Sequence, residues 1–294
     1  MAIARLVAAM MLFFAATAAA QYPSRPVRIV VTIPPGGAPD IVARVIAEKL
    51  APALGQPVVV ENKPGSNGNI AAELVARSAA DGHTLLLSGD SLFVINPHLY
   101  RRMPVDVHRD LVPVAPLGTA MFILSVHPAL PVGSLQEFIE HARRAEPPLA
   151  YASGGNGSQH HLTMERLKHR AGIQLLHVPF KGGVPATAAT VAGETVAMFA
   201  STSSLPQIRA GRLRALAVTG SARLPAFPDL PALDELYPGL EMTVWLGLFA
   251  PAGVAQAVLE RLRADVATVL GTTDVRQATK CARCSRRRDS RSPS

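Results

Sequence analysis

Residues 27–33 are almost all β-branched or valine-like, the run stops at Pro34-Pro35-Gly36-Gly37, and Val42, Val45, Ile46 and Leu50 then fall at helical spacing through Leu54. A short continuous apolar run reads as a strand covered on both faces, and a helix directly after a glycine turn reads as the chain folding back over it. The unit constrains the fold because it recurs. Strands are expected over 58–60 and 84–88 with a helix over 70–79 between them.

A second series starts after Leu117-Gly118. It predicts a strand over 123–126 and a helix to Ala145 opened by the capping box Ser134-Leu-Gln-Glu137. A strand over 149–153 then enters Gly154-Gly155-Asn156-Gly157-Ser158, followed by a helix to Ala171. Next come a strand over 175–178, the turn Lys181-Gly182-Gly183, a helix to Ala192, and strands over 196–200 and 213–218. The Pro-rich stretch 225–238 reads as a crossing back to the first unit, with a strand over 244–250 and a helix over 255–270 whose Val258, Leu259, Leu262, Val266 and Val269 share a face.

Strands alternating with amphipathic helices imply an α/β protein with parallel sheets covered on both faces. Two lobes are expected: residues 21–122 with 225–279 in the first, and 123–224 in the second. Such sheets bind ligands beyond the carboxyl ends of their strands, where these glycine loops fall, so the ligand belongs in a cleft between lobes.

Three loops carry the chemistry. Pro35-Gly36-Gly37-Ala38-Pro39-Asp40 exposes amides where a helix begins, and unpaired donors at the positive end of a helix favour an anion. Gly154-Gly155-Asn156-Gly157-Ser158 repeats the arrangement in the second lobe, and Lys181-Gly182-Gly183 adds a cation. Singly, each is more often just an ordinary turn, and it is the three together across two lobes that point to a carboxylate-like ligand. Ser88, Asp90, Ser91, Asn96, Ser201 and Thr202, at other strand ends, complete the candidate lining. Asp40 is expected to bond loop amides, since a bare carboxylate aimed at an anionic ligand would repel it.

Other chemistry lacks support. Gly155-x-Gly157 has His160 where a dinucleotide fingerprint needs a third glycine, and neither a P-loop nor G-x-S-x-G occurs. His160, His161 and Glu165 do not form H-E-x-x-H and read as a polar helix start, so no metal and no cofactor is expected. Trp245, the only tryptophan, reads as core or as a cleft wall. An enzyme working on a small acid through His160, His161 or Asp90 is the competing reading.

Several of these motifs, taken in order, resemble the Bug family of extracytoplasmic solute-binding receptors: Pro34 to Asp40, Val59-Val60-Glu61-Asn62-Lys63-Pro64-Gly65, Ile95-Asn96-Pro97-x-Leu99-Tyr100, Ser153 to Ser158, and His177-Val178-Pro179-Phe180-Lys181-Gly182-Gly183. The resemblance runs from Tyr22 to Ala278. It implies a two-lobed periplasmic binding protein of the Venus-flytrap, type II-like architecture, without catalysis, and a monomer is expected. It also implies a small carboxylate, or a related amidated or aromatic acid, held by backbone amides and bridging waters at the loops Gly36 to Asp40 and Gly154 to Ser158, and delivery to the membrane subunits of a tripartite tricarboxylate transporter. A receptor docking to a signalling partner is a further alternative.

Charge and the termini fit that reading. The net charge is +8, yet residues 280–294 hold six basic residues against Asp289 alone, and Arg5 lies near the start, so the body is close to neutral and no nucleic-acid surface is expected. Residues 1–20 read as a secretory signal cleaved after Ala20: a positive start, an apolar run from Leu6 to Ala16 too short to span a bilayer, then small residues. A periplasmic protein is expected. The tail after Ala278 lacks the final helix the resemblance implies, and carries Cys281-x-x-Cys284 among arginines. It is expected to be a disordered remnant, with a frameshift as its origin, instead of a redox or metal pair or a nucleic-acid arm.

Overall fold

The computed structural model describes residues 22–224, 227–272 and 275. The expected signal, the basic tail and Cys281 and Cys284 lie outside the described residues.

Among the described residues, ten strands form two five-stranded sheets flanked by helices. The first has the order β2-β1-β3-β10-β4, built from β1 (Val27–Val31), β2 (Val58–Asn62), β3 (Thr84–Gly89), β4 (Leu111–Ala120) and β10 (Val244–Pro251). The second has the order β7-β6-β8-β5-β9, built from β5 (Phe122–Val126), β6 (Ala150–Ser153), β7 (Leu176–Pro179), β8 (Ala197–Ser201) and β9 (Arg214–Val218). Helix α1 (Ala38–Leu54) buries Val42, Ala43, Ile46, Ala47, Leu50 and Leu54 against the first sheet, where Val27, Ile29, Val31, Leu85 and Leu87 are fully buried. Each large apolar side chain buried in this way contributes about 1.5–3 kcal/mol, which pins the glycine turn between β1 and α1 in place. The last described helix (Gln256–Leu270) lays Leu259, Leu262, Val266 and Val269 on the same core.

The sheets are mixed, which corrects the expectation of parallel sheets. β1, β2 and β3 are parallel, but β10 runs antiparallel to both β3 and β4, and β5 runs antiparallel to β8 and β9. The reason is the double crossing of the chain. β4 runs into β5 through Met121 alone, and β10 returns from the other sheet, so each incoming strand enters against its neighbours' direction.

The return crossing also lies later than 225. Val218 donates its amide to the Pro231 carbonyl and pairs with Ala232, and Leu224 and Ala232 share a cluster with Met121 and Ile123, so this stretch packs on the second sheet. The chain leaves only around Met242. There Thr219 laces both crossings together: its Oγ1 accepts from the Phe122 amide at 2.9 Å and donates to the Met242 carbonyl at 2.8 Å.

Candidate functional site

The β1–α1 turn is held from within by Asp40. Its buried carboxylate accepts from the Gly36 amide at 2.9 Å, Asn62 Nδ2 at 2.8 Å and Arg44 Nε at 3.1 Å. Burial alone would raise its pKa, but those donors and the Arg44 charge outweigh burial and hold the carboxyl below its usual value. As expected, Asp40 turns its charge into the loop. The helix start at Gly37, Ala38 and Asp40 keeps the free amides that every helix start has.

In the second lobe α7 (Gln159–Ala171) follows the Gly154 to Ser158 loop, and Ser158 caps it, its Oγ accepting from the His161 amide. Ser153 is fully buried; its Oγ accepts from the Gly155 amide at 3.1 Å and lies 2.6 Å from His177 Nε2. His177 stacks on His161, centroids 4.1 Å apart, and His161 Nδ1 accepts from the Gly157 amide. Burial and the neighbouring His161 hold the His177 pKa down to about 4. Ser153, His161 and His177 therefore brace the loop. The third loop leads into α8 (Gly183–Val191), with the Gly182 amide donating to the Gly154 carbonyl.

The three loops meet. A Cβ built on Gly36 would lie 3.9 Å from Val184, one on Gly182 2.7 Å from the Pro34 ring, and one on Gly154 3.3 Å from the Gly183 nitrogen. Three helix starts, from α1, α7 and α8, thus share one cleft. Two cross-cleft side-chain bonds accompany them: Asn67 Nδ2 donates to the Gly157 carbonyl at 3.3 Å, and Gln159 Nε2 donates to Asp90 Oδ1.

The other candidates divide. Asp90 is in the cross-cleft contact, with Ser91 beside it at a helix start. Asn96 is fully buried and every polar atom of its amide is used, on Asn67 and Asn69, so it positions the Asn67 loop and does not itself face the cleft. Ser88 is buried on β3 and donates to the Gly89 carbonyl. Ser201 pairs with Ser203 at the end of β8, beside Thr202. Asn156 and Lys181 are exposed on their loops. Trp245 is partly exposed on β10, packed on Phe93 at 5.8 Å.

No local signal marks Asn62, Asn67 or Gln159 as site residues. Asn67 stands in the turn Gly65-Ser66-Asn67-Gly68, where Ser66 and Asn67 take φ of 47° and 52°; the Gly-Ser-Asn-Gly composition marks a turn, but not its reach across the cleft. A cavity of about 730 Å³ opens beside the Asp90 contact, walled by Val94, Gln159, Arg166, Leu240 and Met242.

Asp90 makes the cross-cleft contact pH-dependent. Burial dominates and pushes its pKa to about 6, against partial relief from hydrogen bonds, the Gln159 amide among them. The raised value means that the folded chain holds this proton more tightly than the unfolded one. The contribution is full below about pH 4 and is lost as pH rises through about 6. Urea unfolding should therefore show about 1 kcal/mol less stability at pH 7 than at pH 5 from this group. Asp90→Asn should remove most of that difference, and an unchanged pH profile in the variant would contradict the assignment.

Among the described residues no helix is long and apolar enough to cross a membrane, and no cluster of three His, Cys, Asp or Glu side chains could hold a metal ion. Residues 42–278 match the TctC family, described as "Tripartite tricarboxylate transporter family receptor". BugT of Bordetella pertussis is 37% identical over 260 residues, covering 87% of this chain and 80% of BugT. A protein encoded in the tcbD-tcbE intergenic region of Pseudomonas sp. strain P51 is 40% identical over 262 residues, 88% of this chain and 78% of its own. Among solved structures, periplasmic binding protein BugD superposes with TM-score 0.84 at 32% identity, covering 88% of this chain and 87% of BugD. R. palustris Rpa4515 with adipate gives 0.83 at 33% (88% of each chain), and MatC of Rhodopseudomonas palustris with bound malate gives 0.81 at 32% (88% and 89%). With its two laced sheets and its paired glycine loops, this chain belongs to the TctC family of tripartite tricarboxylate transporter receptors, and within it to the Bug-type periplasmic solute-binding proteins.

Proposed function

We propose that the protein captures a small carboxylate between its lobes and delivers it to the membrane subunits of a tripartite tricarboxylate-type transporter, without transforming it. The observation that carries this reading is the convergence of three helix starts from both lobes on one cleft. Free amides at the positive ends of helices form an anion site, and one bound to both lobes stabilises their closure. Adipate and malate in the solved relatives are acids of the expected class. Binding without chemistry is supported by the side chains an enzyme would need: Ser153, His161 and His177 are engaged in bracing loops, and Asp90 is in the cross-cleft contact. The site is assigned to the loops and not to the neighbouring cavity, where Arg166 and Arg170 already donate to the carbonyls of Gly239 and Pro238. Residues 1–20 would direct export and be cleaved after Ala20, placing the receptor in the periplasm.

The test is a melting and calorimetric screen of the protein beginning at Gln21 against mono-, di- and tricarboxylates, amino acids and nicotinic-type acids, with Trp245 as the fluorescence reporter of closure. An acid at a hundred times its Kd should add about 2.7 kcal/mol, a rise in Tm of about 5–10 °C. If no acid stabilises the protein, the proposal fails.

A further inference from the structure

His160, the second residue of α7, is not used by the bracing network of the second loop. Its ring rests on Phe122 at the entry to β5, centroids 4.5 Å apart. The two glycine loops hem it in from the other sides: a Cβ built on Gly154 would lie 2.9 Å from Nδ1, and one on Gly183 3.3 Å from Nε2. Both ring nitrogens are closed off from solvent, and neither has a hydrogen-bond partner among the described residues. Its neighbour His161 differs, since it accepts from Gly157 and stacks on His177.

Buried polar atoms are nearly always paired, and each exception calls for an explanation. Here two orphan nitrogens sit where the starts of α7 and α8 converge, in the cleft assigned to the ligand. Burial pushes the imidazole down to about pKa 4, and the positive ends of the two helices act in the same direction, so the ring is neutral near pH 7. A neutral imidazole offers one N–H donor and one bare nitrogen acceptor. A carboxylate oxygen satisfies the donor, and a hydroxyl or amide on the ligand, or a water, satisfies the acceptor.

We propose that His160 is a specificity-determining ligand contact, its neutral ring donating a hydrogen bond to the bound acid. The inference rests on the carboxylate-binding reading and names a residue within it. Backbone amides recognise a carboxylate and say little about the rest of the molecule. A directional side-chain donor between two loops adds a geometric requirement, because an acid whose oxygen misses the N–H leaves the ring unpaired.

The test compares wild type, His160→Phe and His160→Gln, with the tightest-binding acid of the panel as probe. Phenylalanine fills the same space without polar atoms, so the ligand-free protein should melt at the wild-type temperature or above it. Its Kd for the acid should nonetheless weaken about 10–100-fold. His160→Gln, which restores a neutral donor and acceptor, should recover part of the loss. In wild type, the ¹⁵N resonances of the His160 ring should shift on saturation with the acid, a readout that requires no variant to fold. Equal affinity in His160→Phe, or unmoved ring resonances, would overturn the role of His160 while leaving the receptor reading intact. A wild type that binds no acid of the panel would overturn both.

Discussion

An Asp40→Ala variant is expected to lose about 2–4 kcal/mol of stability, and most of its affinity for any acid the cleft takes. The carboxylate is buried and satisfies three donors on three parts of the first lobe: the loop amide of Gly36, the strand residue Asn62 and the helix residue Arg44. Alanine orphans the Gly36 amide and takes from Asn62 Nδ2 one of its two acceptors, leaving the Ile33 carbonyl, while Arg44, about half exposed, turns to solvent at little cost. The stability change is therefore set mainly by the two neutral donors. The affinity change follows from geometry, because the Gly36 to Asp40 turn then has nothing fixing where its amides point. Asp40→Asn should also be damaging, since its NH2 replaces one carboxylate oxygen and then faces donors, either Asn62 Nδ2 at one position or the Gly36 amide and Arg44 Nε at the other.

The pH arm of this prediction runs opposite to that of Asp90. The Asp40 carboxyl is held below its usual value, so its contribution is complete above the unfolded-state pKa near 3.9 and is lost only as pH falls through the lower folded value. Between pH 5 and 7 it should add no slope. Urea midpoints for wild type, Asp40→Ala and Asp90→Asn at pH 5 and 7 separate the two carboxylates, and a midpoint for Asp40→Ala within error of wild type would refute the bracing role.

The role of Asp40 was legible because it depends on neighbours in sequence: a carboxylate four residues after a glycine, at a helix start, bonds the loop behind it. The elements of both sheets were legible for the same reason, since burial period and turn chemistry are local. β4 was not, because Pro113 and Pro116 argue against a strand. It is tolerated as the edge of its sheet, where the prolines fall beside register shifts opposite β10 and an absent N–H breaks little. Strand direction was not legible either, as it follows from the chain crossing twice between sheets. Nor was the packing of 227–240 on the second sheet, where Leu230, Ala232 and Leu233 bury themselves among prolines. Asn67, Gln159 and His160 derive their places from lobe closure and from loops distant in sequence, which no local pattern encodes.

Gly182→Ala should weaken acid binding by 100-fold or more, equivalent to about 2.7 kcal/mol. Gly182 takes φ 113° and ψ 170°, a region essentially closed to residues with a Cβ, and it caps α8. That strain belongs to the second lobe and should cost about 1–3 kcal/mol of stability whether the cleft is open or closed. The added methyl has a second effect that only closure reveals. It would lie 2.7 and 2.9 Å from Cδ and Cγ of Pro34, in the first lobe, and a proline ring with fixed φ cannot rotate away. Gly157 shows the contrast: a Cβ there meets the end of the Leu99 side chain, which has rotamers into which it can withdraw. The two effects of Gly182→Ala separate in a double-mutant cycle with Pro34→Ala, which removes the ring. Relief of the cross-cleft clash should return at least tenfold in affinity to the double variant, while its unfolding free energy stays the sum of the two single changes. If the affinities are simply additive, Pro34 and Gly182 do not meet in the binding-competent state, and the loops do not close on the ligand as proposed.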